Sequence, residues 1–135
     1  MPHLITQKYK DMKITNFLML LALVLVGFTS CKKDAPVPDI AAKVVTESNG
    51  STYNGSFNAN TYQSTDYDVV VTKVSNTKVK ITPEDSNGTA FEVTIIEASG
   101  KITATENQVV FQEINGVMTL SYNTSGGEQF SGKKQ

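Results

Sequence analysis

The chain has 135 residues, of which 39% are apolar and 19% charged, with a net charge of −1; this fits one ordinary domain plus a targeting segment. Its 12 basic residues are all lysine, and with no arginine and no basic stripe it is poorly equipped to clamp phosphates, which argues against a nucleic-acid partner. The only histidine is His3 and the only cysteine is Cys31, so beyond residue 31 there is no imidazole base, no thiolate, no disulfide and no His- or Cys-based metal site.

From Ile14 to Phe28 the chain reads ITNFLMLLALVLVGF, preceded by Lys8, Lys10 and Lys13. The run falls short of the roughly 20 apolar residues of a membrane span and ends in small residues, which is the form of a secretory signal. Met12 stands directly before Lys13, so translation is expected to start there, with residues 1–11 as a start-site artefact. The tail Phe28-Thr29-Ser30-Cys31 resembles the lipobox of bacterial lipoproteins. That resemblance implies a signal peptide over residues 1–30 and lipidation of Cys31 as the first residue of the mature chain. Lys32 follows the cysteine where the family's inner-membrane retention signal places Asp, which by the same resemblance implies an outer-membrane lipoprotein of a Gram-negative envelope, with either face open to it. The membrane partner is then the bilayer itself, reached through lipid, each buried methylene adding about 0.8 kcal/mol.

Residues 31–38 continue the anchor as KKDAPVP, whose charges and prolines prevent regular pairing and predict a short extended tether. Residues 39–50 open with DIAAKVVTE, a short helix or turn with Asp39 as N-cap, or a first strand. Beyond Gly50 the pattern becomes alternating and rich in Thr, Val, Ile and Tyr, so residues 51–135 read as a β domain. Strands are expected near 52–58, 66–74, 77–82, 89–97, 100–105, 108–113, 117–123 and 127–132.

The clearest unit is VVFQEINGVMTLSY. Asn115-Gly116 is a strong two-residue hairpin signal because a type I′ turn needs positive φ at both positions. That register pairs Ile114 with Val117, Phe111 with Leu120 and Val109 with Tyr122, placing the large apolar side chains on one face. Carried backwards, the same parity sets Ala104 against Val109 and Ile102 against Phe111. A four-residue connection over Glu97–Gly100 sets Ile95 against Ile102, and an odd-membered turn around Ser75-Asn76 aligns Tyr67, Val69 and Val71 with Val79 and Ile81. All connections are short and none fits a parallel crossover. The expected fold is all-β, a small eight-stranded antiparallel up-and-down barrel, which removes exposed edges by closing; a β-sandwich or an open half-barrel is the alternative.

GSTYNGSF near the start of the domain and FSGKKQ at its end, with the signal and the meander, resemble small calycin-like or lipocalin-like lipoproteins of Gram-negative bacteria. Members of this group are mostly uncharacterised, so the resemblance implies architecture and tethering more than activity; the chain has neither the tryptophan nor the arginine of the lipocalin signature.

A barrel of this size either fills itself with side chains or holds one small ligand. Tyr53, Tyr67, Phe91, Phe111 and Tyr122 are the candidate ligand-binding residues for a small apolar ligand, the tyrosines especially, because a buried phenol needs a hydroxyl partner; the plainer reading of these aromatics is core. Outward parity gathers Val70, Val74, Ile96, Val110, Ile114 and Val117, either covered by residues 39–47 or open to an envelope protein partner. The carboxylates of Asp66-Tyr67-Asp68 face one way on a strand and could bind calcium weakly, while Glu84 to Gly88 places oxygen ligands in a loop without the spacing or terminal Glu of a calcium hand; the plainer reading of both is a solvated edge and turn. No motif supports catalysis and no cofactor is implied. The chain reads as a lipid-anchored binding barrel, or as a structural or accessory envelope component without a ligand; a carboxylate-based hydrolase is the remaining enzyme class.

Overall fold

The computed structural model describes residues 34–135. The expected signal peptide over residues 1–30, the expected start at Met12 and the expected anchor Cys31 lie outside the described residues. The β domain belongs to a compact unit running Val37–Gln135. It contains one short helix, α1 (Ala41–Val44), and nine strands: β1 (Ser51–Ala59), β2 (Tyr62–Ser75), β3 (Lys78–Pro83), β4 (Phe91–Thr94), β5 (Ile96–Ala98), β6 (Lys101–Thr103), β7 (Val110–Ile114), β8 (Val117–Asn123) and β9 (Gln129–Lys134).

All nine strands form one antiparallel sheet in the order β4-β3-β2-β1-β9-β8-β7-β6-β5. The first and last strands of the chain pair along Tyr53–Asn58 and Gln129–Lys134. The two edges of the sheet, β4 and β5, are consecutive in the chain and separated only by Ile95. The sheet therefore curls into a nearly closed barrel in which chain continuity at Ile95 stands where a ladder would otherwise close the ring. This is a single sheet, not a sandwich, and the expected eight strands become nine because 89–97 does not run as one strand. Its first half pairs with β3 and its second half with β6, while Ile95 itself is fully buried and its N–H donates to the Thr77 carbonyl at 2.8 Å.

The local chemistry explains most of the register. Asn115 and Gly116 take φ of 53° and 78°, as a type I′ turn requires, and the hairpin pairs Ile114 with Val117 and Phe111 with Leu120 as expected. Ile102 pairs with Phe111, and the Ala104 N–H donates to the Val109 carbonyl at 2.9 Å across a 3-10 turn over Glu106–Gln108. The β5–β6 connection departs from expectation. Ser99 and Gly100 both adopt positive φ, 52° and 75°, giving a tight two-residue turn that pairs Ala98 with Lys101 and Glu97 with Ile102. Ile102 thus faces Glu97 instead of Ile95, a two-residue slip that keeps the inward face intact because side chains alternate with period two. Between β2 and β3, a bulge between Lys73 and Ser75 supplies the extra residue that the odd connection needed, and Val71 pairs with Ile81.

Inside the barrel Tyr53, Phe57, Tyr67, Val69, Val71, Val79, Ile81, Ile95, Val109, Phe111 and Leu120 are all buried. Alternation of strand direction puts the β2–β3, β5–β6 and β7–β8 turns at one end and the β1–β2, β3–β4, β6–β7 and β8–β9 connections at the other. α1 plugs the first end. Its Ala41 and Val44 are fully buried in the core cluster, Ala41 N–H donates to the Asn76 carbonyl at 2.9 Å, and the Lys43 ammonium lies 2.7 Å from the Glu97 carboxylate. Asp39 caps the helix as expected, accepting from the Ala42 N–H at 3.1 Å, and also pairs with Lys73, whose hydrogen bond holds its carboxyl below the usual range. Since residues 41–44 enter the barrel end, they do not blanket the outer face. Val74, Ile96, Ile114 and Val117 remain exposed around the α1 end, while Val70 and Val110 are half-buried.

Candidate functional site

The aromatic residues singled out in the sequence separate into two groups instead of lining one pocket. Near α1, Tyr53 packs edge-on against Phe111 with ring centroids 5.8 Å apart. Its hydroxyl donates to the Val44 carbonyl at 2.8 Å, so the phenol is spent on holding α1 in place. Burial raises its pKa well above the ordinary value.

Tyr67, Phe91 and Tyr122 gather in the other half of the barrel. Tyr67 stacks on Phe57 at 4.2 Å between centroids and donates its hydroxyl to Asp85 Oδ1 at 2.7 Å. Burial, reinforced by that carboxylate, raises the Tyr67 pKa, while the same hydrogen bond holds the Asp85 carboxyl below its usual range. Phe91, half-buried on the edge strand β4, meets Tyr122 edge-on at 5.3 Å, and Tyr122 stacks on Phe130 at 5.6 Å. Phe91 and Tyr122 thus bring the edge strand β4 into contact with β8.

The connection between β3 and β4 folds over this end. Asp85 accepts from both the backbone and the side-chain amide of Asn87, at 2.9 and 2.8 Å. Thr89 donates through its N–H and its hydroxyl to the two oxygens of the Glu128 carboxylate, at 3.1 and 2.8 Å. Gly88 lies so close to Pro83 that an added Cβ would sit 2.5 Å from its ring. The loop is therefore latched to β2 by Asp85 and to the β8–β9 turn by Thr89.

Under that latch lies an unmatched group. Tyr122 is 3% exposed, and its hydroxyl is buried with no hydrogen-bond partner among the described residues. Buried polar atoms in folded proteins are nearly always paired, because leaving one unpaired costs about 1–3 kcal/mol. Burial, and then the negative charge of Glu128, raise the Tyr122 pKa.

Sequence reasoning did not anticipate Tyr62, which leans on both Phe57 and Tyr67 at 6.1 Å, nor the Thr89–Glu128 latch. Neither carries a motif; both follow from a fold that folds two loops together. The carboxylates of Asp66 and Asp68 do face one way, but the Asn54 amide nitrogen bridges them at 2.8 Å each. Among the described residues no group of three or more His, Cys, Asp or Glu side chains could hold a metal ion, and no helix is long and apolar enough to cross a membrane.

Neither protein-family models, nor curated proteins, nor solved structures contain a match to this chain.

Proposed function

We propose that the protein is a lipid-anchored, non-catalytic module of the Gram-negative envelope, held at the outer membrane through Cys31, with a lipocalin-like barrel that takes a small apolar ligand at the end away from its tether. The ligand reading is carried by the unpartnered Tyr122 hydroxyl, surrounded by Phe91 and Phe130 and covered by a hydrogen-bonded loop instead of core packing alone. Release of the Thr89–Glu128 latch would expose an apolar surface with one hydroxyl to offer, the arrangement expected of small-molecule sites. The barrel unit begins at Val37 beside α1, at the opposite end, where the Asn76 side-chain amide donates to the Val37 carbonyl at 3.4 Å.

A second reading rests on the exposed Val74, Ile96, Ile114 and Val117 around the α1 end, which suit an accessory role against another envelope protein.

Titration of the membrane-extracted protein with the neutral fluorescent probe N-phenyl-1-naphthylamine tests the ligand reading. The proposal expects saturable fluorescence enhancement that Tyr122→Phe weakens and Glu128→Gln alters. Absence of binding to the wild-type protein would favour the accessory reading. In the native host, Cys31→Ala is expected to move the protein out of the membrane fraction.

A further inference from the structure

The outer surface of β1, β8 and β9 carries a second feature, on the other face of the strands that hold Phe57, Tyr122 and Phe130. Cross-strand register places Gln63 beside Asn58, Asn58 beside Gln129 and Gln129 beside Asn123. This forms a row of amides across β2, β1, β9 and β8. One step along the strands, Ser56 pairs with Ser131 and Ser131 with Ser121. A third row sets Asn54 against Lys133 and Lys133 against Thr119. Neighbouring strands lie about 4.8 Å apart, so these rows form a regular lattice of donors and acceptors.

The lattice lies in a shallow trough with two contiguous lobes of about 540 and 560 Å³ that share Ser56, Ser121 and Ser131. Glycine accounts for the hollow. Gly55 pairs with Gly132; a Cβ on Gly55 would lie 2.2 Å from the Ser131 carbonyl oxygen, and one on Gly132 2.5 Å from the Phe130 ring. No side chain fits at either position, so the sheet is pinched inward there, and a bulge between Gly55 and Phe57 sharpens the bend.

Three observations separate this surface from an ordinary solvated face. The amide and serine rows contain no ionisable side chain, whereas the ladder on the other side of the barrel sets Lys80 against Glu92. Asn is disfavoured in strands, yet Asn54, Asn58 and Asn123 all occupy strand positions on this face, and local rules tend to be broken where function requires it. Asn76 and Asn87 elsewhere are engaged in side-chain hydrogen bonds, as is Asn54 in the third row. None of the side chains of the amide and serine rows takes part in the side-chain hydrogen bonds found among the described residues.

We propose that this trough binds a neutral, polyhydroxylated ligand, an uncharged oligosaccharide. Sugar hydroxyls donate and accept like the amides and serines of the lattice, and a regular spacing of such groups suits a chain of repeating units. The lobe around Asn58 and Gln129 holds neither the cation that an anionic polymer would need nor a carboxylate to repel one, and the other lobe has a single charged side chain, Lys133. The trough also has no outward aromatic ring for sugar stacking, so affinity is expected to be weak, about millimolar for a short oligosaccharide, and to rise through multiple contacts along a polymer.

The test uses the full lipidated protein in nanodiscs, with backbone amide shifts followed by NMR as chitotetraose, cellotetraose, maltotetraose and a sulfated tetrasaccharide are added in turn. The expected result is that one neutral tetrasaccharide perturbs Asn58, Ser121 and Gln129 and leaves the β3–β4 ladder unmoved. The triple variant Asn58→Ala, Asn123→Ala, Gln129→Ala should weaken binding at least about tenfold with an unchanged thermal midpoint. The proposal is overturned if no neutral sugar perturbs the trough, if the sulfated sugar binds more tightly than all of them, or if the triple variant binds equally well. Sugar binding is independent of the anchor, so Cys31→Ala should leave it intact.

Discussion

The hydroxyl of Tyr53, on β1, reaches across the barrel end to the carbonyl oxygen of Val44, the last residue of α1, at 2.8 Å. Both residues are fully buried, so this bond joins the helical plug to the barrel from inside. Tyr53→Phe would preserve the ring's contact with Phe111 and strand a buried carbonyl. The expected cost is about 1–2 kcal/mol, measurable as a lower midpoint in urea, with faster hydrogen exchange at Val45, whose N–H donates to Ala41.

Tyr122→Phe should behave in the opposite way. Its hydroxyl has no partner among the described residues, so removing it relieves a desolvation cost and leaves the packing against Phe91 and Phe130 in place. Stability is expected to hold or rise by up to about 1 kcal/mol, while probe binding at that end falls. A loss of stability equal to that of Tyr53→Phe would mean that the hydroxyl is satisfied in solution and would remove the support for a ligand there.

Alkaline pH should expose the three buried phenols together. Tyr53, Tyr67 and Tyr122 each have a folded pKa raised above the ordinary value, mainly through burial. In the unfolded chain they ionise near pH 10, so their contribution is fully present below about pH 10 and is lost as pH rises from there towards the folded values. Each can contribute a slope of up to about 1.4 kcal/mol per pH unit. Denaturation midpoints measured across that range should fall steeply, and less steeply in Tyr122→Phe.

Gly55→Ala tests the pinch in the sheet. The new methyl would meet the backbone of Ser131 at 2.2 Å, and backbone cannot move aside as a flexible side chain would. Overpacking of this kind costs about 1–3 kcal/mol, and the upper end is expected because β1 and β9 join the two halves of the barrel. Gly116→Ala is the contrast: nothing lies within 4 Å of its Cβ, and only its φ of 78° opposes the change.

The strand registers that sequence could reach were those pinned by a turn with a stereochemical requirement. Asn115-Gly116 set β7 against β8, and parity then carried the inward face through β6 and from β2 into β3. Parity fails at Ser99-Gly100 because serine adopts positive φ there, which its residue type does not announce, so the turn is shorter than its composition suggests. The division of 89–97 at Ile95 was not legible, since one apolar residue changing partners from β3 to the β5–β6 hairpin leaves the alternation unbroken. The candidate aromatics were correctly inward, yet periodicity gives a face and not a height, so Tyr53 and Phe111 could not be told apart from Tyr67, Phe91 and Tyr122. The Asn58 and Ser56 rows were visible only as polar outward positions until pairing put them side by side.

The proposed lipid anchor at Cys31 would use the only cysteine of the chain and leave the barrel free of thiol chemistry. Intact-mass spectrometry of the protein extracted from envelopes of its native host addresses this directly. The prediction is a chain beginning at Cys31 and carrying the added mass of acyl chains, with residues 1–30 removed. A chain that retains residues before position 31, or one that begins elsewhere with an unmodified cysteine, would contradict it.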